Sequence, residues 1–336
     1  MPGLLSPLEI CRLRLKNRLV MPPMSLPAAN MRGADDRGEV NERHVEHYAA
    51  RARAGVGLII VEASHCRLDG IAYRGQPGLH ADYVVPGLRQ LADAVHQAGS
   101  AIAIQIIHAG GKAPRPVIGE QPCAPSALVT PGEGGDLPRA LPVLEIRDLV
   151  AQYGQAARRA VEAGFDAVEI HGAHGYLLSQ FMSPLTNLRD DEYGGDEENR
   201  LRFPLAIVRE TRRVVGPDYP IFYRFGADDL MEGGITAADG QRIARRLVEA
   251  GVDVLDVSGG LGGGGFDRYK EQGFFVPLAH GVKVASGALV VGVGNITEAA
   301  YADRVIRAGL VDLVAIGRPL LRDAGWAERA LRALAG

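Results

Sequence analysis

Short, continuously apolar runs alternate along this chain with longer amphipathic stretches. The runs lie at 19–21, 57–62, 101–107, 167–171, 221–225, 254–257, 289–293 and 313–316. They are short, mostly β-branched and lack polar alternation, as expected of parallel strands covered on both faces. Between them, residues 40–54, 86–98, 146–163, 199–215, 237–250, 275–285, 297–308 and 326–334 carry helical patterns. Four of these stretches close in Ala-Gly, at Ala98-Gly99, Ala163-Gly164, Ala250-Gly251 and Ala308-Gly309. A glycine there ends a helix just before the next strand. Eight strands alternating with eight helices predict an α/β chain folded as a (β/α)8 TIM barrel. A doubly wound sheet is the rival, but no GxGxxG turn follows the first strand, so a Rossmann dinucleotide site has no anchor. No linker or composition shift divides residues 1–336, which read as one domain.

The departures from regularity fall where such barrels build active sites, after the strands' C-terminal ends. Residues 109–145 are rich in Pro and Gly, and the segments after the fourth and sixth strands are also long. Polar residues stand at one strand exit after another: Ser25 after Pro22-Pro23-Met24, Glu62 beside Ala63, Gln105 and His108, then His171, His174 and Tyr176. Arg224 sits inside the apolar "IFYRF". A guanidinium does not lose its charge, so a buried one must meet an anion or strong acceptors. An internal salt bridge to Glu62 or Glu169 and a ligand anion are equally open readings. Gly294-Asn295 and Gly317-Arg318 follow the last two strands, where exposed backbone N–H groups and an arginine make a phosphate cradle. The seven residues "GGLGGGG" at 259–265 read first as a mobile lid, with backbone that must approach a ligand closely as the second reading.

Composition narrows the partners. The net charge of −3 and the dispersed Lys and Arg argue against nucleic acid. No apolar run approaches the ~20 residues of a membrane span and no secretion signal opens the chain, so the expected setting is cytoplasmic. Cys11, Cys66 and Cys123 form no CxxC pair and read as free, packed thiols. The spacing of His171 and His174 could ligate a metal, but no glutamate neighbours the pair and no third ligand stands out, so no metal is expected.

Six stretches resemble the Old Yellow Enzyme family of FMN-dependent ene-reductases: "LKNRLVMPPMS", "LIIVEAS", "IAIQIIHAGGKA", "GFDAVEIHGAHGYLLSQFMSPLTNLRDDEYGG", "YRFGADD" and "VDLVAIGRPLL". They span nearly the whole chain. The resemblance implies bound FMN, NADH or NADPH as reductant, and an activated alkene as the second substrate: an enone, an enal or a nitroalkene. It implies that Pro22, Pro23, Met24, Ser25, Ala63, Gln105 and Arg224 line the flavin ring. Gly294, Gly317 and Arg318 would grip its phosphate. His171 and His174 would hydrogen-bond the substrate carbonyl, and Tyr176 would donate the proton. The residue types suit that chemistry. Hydride arriving at the β-carbon builds negative charge on the carbonyl oxygen, and preset donors there are worth roughly 3 kcal/mol each. A phenol of pKa about 10 keeps a proton to give to the α-carbon.

Three departures from the family pattern stand out. Ser25 occupies a position where many relatives have Thr or Cys, and Gly111 one where they often have Arg. The third is length: the iron–sulfur and dinucleotide-binding domains of longer relatives are not expected. A homo-oligomer is compatible with the sequence. The alternatives are a flavin-free acid–base lyase or aldolase on the same barrel, and an FMN-binding protein without alkene turnover.

Overall fold

A computed structural model describes residues 2–26, 37–131, 135–263 and 269–336. Eight parallel strands close into a barrel. They are β1 (Leu19–Met21), β2 (Leu58–His65), β3 (Ala101–Ile107), β4 (Ala167–Gly172), β5 (Ile221–Gly226), β6 (Val254–Ser258), β7 (Leu289–Gly292) and β8 (Leu313–Ala315). Each pairs with its sequence neighbours, and β8 closes on β1.

Around them run α1 (Glu42–Arg53), α2 (Val85–Gln97), α3 (Val143–Glu162), α4 (Glu197–Val215), α5 (Ala237–Ala250), α6 (Val276–Ser286), α7 (Ala299–Arg307) and α8 (Trp326–Ala335). Local chemistry fixes several starts. Asn41 and Thr236 each accept the N3 backbone N–H of their helix while the N3 side chain returns the bond. Asp196 caps α4. On α5 the buried positions Ile243, Ala244 and Leu247 recur at helical spacing and face the barrel wall.

All eight expected strands and helices are present, with ends shifted by a few residues. The expectation missed the elements that bonding in the loops creates. An antiparallel hairpin, Leu8–Ile10 with Leu13–Leu15, plugs the floor of the barrel. A short helix, Leu177–Met182, fills the loop after β4. A two-residue pairing of Cys123–Ala124 with Arg139–Ala140 organises the long loop after β3.

The barrel interior is graded along the strands. Its lower layers are apolar: Leu58, Ile60, Ala103, Ala167, Phe222 and Val254 pack with Ile10, Leu13 and Leu15 of the hairpin. Side chains alternate between the two faces of a strand, so every second residue points inward. Stepping two residues from Ala103, Ala167, Phe222 and Val254 gives Gln105, Glu169, Arg224 and Asp256. The next step on β4 and β6 gives His171 and Ser258. The interior thus turns polar toward the C-terminal rim.

Candidate active site

A cavity of about 430 Å³ opens on that rim. Pro22, Pro23, Met24, His174, Arg224, Gly294, Gly317 and Arg318 line it, eight of the residues singled out in the sequence, together with Ser258, Asn295, Phe274 and Phe275. Gln105, Ala63, Ser25, His171 and Tyr176 do not line this cavity. Gln105 and His171 belong to the buried layer beneath and beside it. A register shift in β2 between Val61 and Ser64 places Ala63 at a bulge, and its carbonyl accepts Gln76 Nε2 at 2.6 Å. Ser25 is exposed and bonds the Tyr73 side chain.

The two imidazoles and the phenol of "HGAHGY" come together. The His171 ring lies 5.3 Å from that of His174 and 4.9 Å from that of Tyr176, both edge-on. Two residues in the left-handed region make this possible, His174 at φ 61° and Gly175 at φ 70°. A side chain at 175 would also put its Cβ 2.3 Å from the Leu261 carbonyl oxygen, so only glycine lets these two loops meet. Lys112 ties them: its Nζ donates to the carbonyls of His174 (3.1 Å) and Gly262 (3.2 Å) and stands 5.0 Å from the centre of the Tyr176 ring. His174 Nε2 lies 2.8 Å from Ser258 Oγ.

Both imidazoles are neutral. Burial, then the cations Arg224 and Lys112, pushes His174 down to about 3. Burial, with His174, Arg224 and Lys112 adding to it, holds His171 well below the ordinary histidine range. The Ala173 N–H donates to His171 Nδ1 at 3.3 Å, so the proton of that ring sits on Nε2.

Arg224 Nη1 donates to Asp256 Oδ2 at 2.6 Å, and the two residues are direct neighbours across β5 and β6. The internal partner is therefore Asp256, not Glu62 or Glu169 as the sequence suggested. Arg224 still lines the cavity, so it meets both an internal anion and the ligand space. Glu62 is engaged elsewhere. It takes the Leu26 N–H (3.0 Å) and the hydroxyls of Tyr73 (2.6 Å) and Tyr48 (3.3 Å), and burial raises its pKa.

The site fits a planar, anionic ligand such as FMN. At one end Gly294, at φ 119°, leaves room that a Cβ would fill, 2.9 Å from the backbone nitrogens of Phe274 and Phe275. Arg318 lies beside it at the cavity edge, its Nη2 donating to Asn295 Oδ1 at 2.7 Å. At the other end is Arg224. Gln105 stands behind it, with Nε2 given to Glu169 Oε1 at 2.8 Å. In the glycine-rich loop, Gly264 and Gly265 lie outside the described residues. Over 259–263 backbone bonds to Asp228 and Asp229 hold the chain, and a Cβ on Gly263 would meet the His174 carbonyl oxygen at 2.8 Å. Close backbone approach is the use of glycine seen there.

Neither histidine of the motif belongs, among the described residues, to a metal-type cluster. Among the described residues one such group exists, Asp69, His108 and Cys123, behind the loop after β3. Arg67 already binds both Asp69 oxygens at 2.5 Å, so a cation occupies that carboxylate. All three cysteines are free, with Cys11 exposed and the other two buried.

Sequence reasoning missed Asp256, Ser258, Lys112 and the Phe274–Phe275 wall. Asp256 had a signal: "VLDVS" carries a charge inside an apolar strand, as "IFYRF" does, and each charge calls for the other.

The chain matches the model of the NADH:flavin oxidoreductase / NADH oxidase family over residues 3–335. It is 44% identical to an NADH oxidase of Thermoanaerobacter brockii over 98% of its own length, but spans only 50% of that protein. It is 40% identical to an NADPH dehydrogenase of Geobacillus sp. (strain WCH70), covering 98% of this chain and 94% of the relative. Among solved structures, the old yellow enzyme homologue from Zymomonas mobilis superposes with a TM-score of 0.85 at 28% identity, over 99% of this chain and 93% of that one. No helix among the described residues is long and apolar enough to cross a membrane. A family match across nearly the whole chain and a barrel of this kind, with its cavity at the strands' C-terminal rim, lead to one conclusion: the chain belongs to the NADH:flavin oxidoreductase / NADH oxidase family, that of the Old Yellow Enzymes, which pair FMN with a reduced nicotinamide.

Proposed function

We propose that this protein is an FMN-dependent ene-reductase: NAD(P)H reduces the flavin, and the C=C bond of an α,β-unsaturated carbonyl compound reoxidises it. The observation that carries this reading is the group His171, His174 and Tyr176, two neutral imidazoles and a phenol gathered around the His171 ring beside a cavity lined by Arg224. When bound, FMN supplies the hydride.

The chain's own residues do the rest. Pro22, Pro23 and Met24 would border the ring, with Ser25, Ala63 and Gln105 set outside that lining, and Arg224 would offer positive charge to its polar edge. Gly294, Gly317 and Arg318 would hold the phosphate. His171 and His174 donate to the substrate carbonyl. Because they are neutral well below pH 7, their donor strength does not change across the working range. Such preset donors favour the developing enolate over the ketone by a few kcal/mol. Lys112 fixes the loop that carries His174, and its cation–π contact holds the Tyr176 ring. Tyr176 protonates the α-carbon.

Replacing Tyr176 by Phe tests the assignment. The variant is expected to accept electrons from nicotinamide at the normal rate and to bind phenols. Its reduction of 2-cyclohexenone should fall by roughly 10²-fold or more. Nitroalkenes, whose product anion needs no immediate proton, should still take hydride. Wild-type cyclohexenone reduction in the variant would remove Tyr176 from the role of acid.

A further inference from the structure

Two carboxyl groups lie behind the polar wall of the cavity, and neither is needed by the steps above. Glu169 on β4 and Asp256 on β6 are both fully buried. Alternate strands of such a barrel fill the same interior layer, which is how side chains from β4 and β6 meet. One oxygen of each is accounted for. Glu169 Oε1 accepts from Gln105 Nε2 at 2.8 Å, and Asp256 Oδ2 accepts from Arg224 Nη1 at 2.6 Å. The remaining pair, Glu169 Oε2 and Asp256 Oδ1, find no donor among the described residues. The two carboxyl groups nevertheless lie within hydrogen-bonding reach of each other.

Two carboxylates in contact inside a barrel cannot both be ionised. With both charged, the group of Glu169, Asp256 and Arg224 would carry a net negative charge, with both carboxyl groups fully buried. One proton resolves both the missing bond and the charge. Asp256 already takes the Arg224 guanidinium, so the proton is placed on Glu169. Burial, reinforced by the neighbouring Asp256, raises the Glu169 pKa well above the ordinary carboxyl range. The other groups around the pair are the uncharged Gln105 on β3 and, two residues on, the neutral His171.

We propose that Glu169 and Asp256 hold one shared proton between Oε2 and Oδ1, and that this acid pair is a positioning device that sets the charge Arg224 and Gln105 present to the flavin. The chain of bonds is complete: Gln105 donates to Glu169, Glu169 Oε2–H donates to Asp256, and Arg224 donates to Asp256. Every carboxyl oxygen is satisfied, and the two residues proposed to meet the flavin are linked through one proton. The proton itself follows from the protein alone, while its effect on the flavin rests on the proposed flavin site.

The test uses the purified protein. Infrared spectra of the wild type at neutral pH should contain the carbonyl stretch of a protonated carboxylic acid, sensitive to ²H₂O, because burial and Asp256 raise the Glu169 pKa. That band should vanish in Glu169→Gln, whose amide can repeat both bonds. The flavin midpoint potential in Glu169→Gln should match the wild type. In the double variant Glu169→Gln/Asp256→Asn, Arg224 loses its anion. The two-electron reduction equilibrium should then favour reduced flavin by tenfold or more, about 30 mV. Absence of the band, or its survival in Glu169→Gln, overturns the shared proton. An unchanged potential in the double variant overturns the coupling. A protein that shows the band but binds no FMN would overturn the flavin site, and the coupling with it, while leaving the proton in place.

Discussion

Replacing Gly175 by Ala tests how the loop after β4 is held. The residue stands at φ 70°, next to His174 at φ 61°. An alanine in the left-handed region costs about 1–2 kcal/mol. Its Cβ would also lie 2.3 Å from the Leu261 carbonyl oxygen, a backbone atom that cannot rotate away. Relieving that overlap requires the loops after β4 and β6 to part, at a cost of about 1–3 kcal/mol. Together the substitution should destabilise the protein by roughly 2–5 kcal/mol. Parting the loops also breaks the bridge from Lys112 Nζ to the carbonyls of His174 and Gly262 and moves His174 away from Ser258.

The assay has two arms. Urea unfolding reports the stability loss, and flavin absorbance changes with added phenol report whether the imidazoles still converge. The midpoint should fall at unchanged slope, and phenol affinity should drop by about tenfold or more, equivalent to ~1.4 kcal/mol. A variant within 0.5 kcal/mol of wild type that binds phenols equally well would refute the claim that glycine is required at this contact.

Three further outcomes are expected. Gly294→Ala fills the space beside the nitrogens of Phe274 and Phe275, so equilibrium dialysis should show FMN affinity reduced by tenfold or more while riboflavin binding changes less; equal losses for both would move the phosphate elsewhere. Acid should destabilise the fold through His44, His65 and His171, all buried and neutral, the first pushed down to about 4 and the second to about 3 by burial. The unfolded chain binds more protons below its histidine pKa of about 6.5, so stability is full above that pH and falls toward pH 4 by up to ~1.4 kcal/mol per unit for each group; urea midpoints flat between pH 7 and pH 5 would contradict this. Steady-state kinetics should be ping-pong, with alkene inhibiting at high concentration, because nicotinamide and alkene are proposed to share one face of the flavin; intersecting lines would exclude a shared site.

The barrel was legible because each strand is a short apolar run and four of the helices end in an Ala-Gly stop signal. The upper interior was legible only in part. Counting by twos from Ala167 leads to Glu169 and His171, and from Phe222 to Arg224, so the sequence contains the polar layer once the inward register is known. What it does not contain is the pairing between strands. Arg224 meets Asp256 because β5 and β6 align those positions, and no one-dimensional pattern distinguishes that partner from Glu169. Lys112 was hidden for a related reason. Its partners, His174 and Gly262, lie 62 and 150 residues away, and its bonds go to backbone carbonyls that any sequence would offer. The floor hairpin, Leu8–Ile10 with Leu13–Leu15, has strands too short to show a period at all.

The central claim is that this chain binds FMN and uses it to pass electrons from a reduced nicotinamide to an activated alkene. Anaerobic absorbance spectroscopy of the purified, FMN-reconstituted protein tests both halves in one cuvette. NADPH or NADH should bleach the flavin band, and one equivalent of 2-cyclohexenone should then restore it with release of cyclohexanone. A flavin that bleaches but does not recover with any enone, enal or nitroalkene, or a protein that takes up no FMN, would contradict the account.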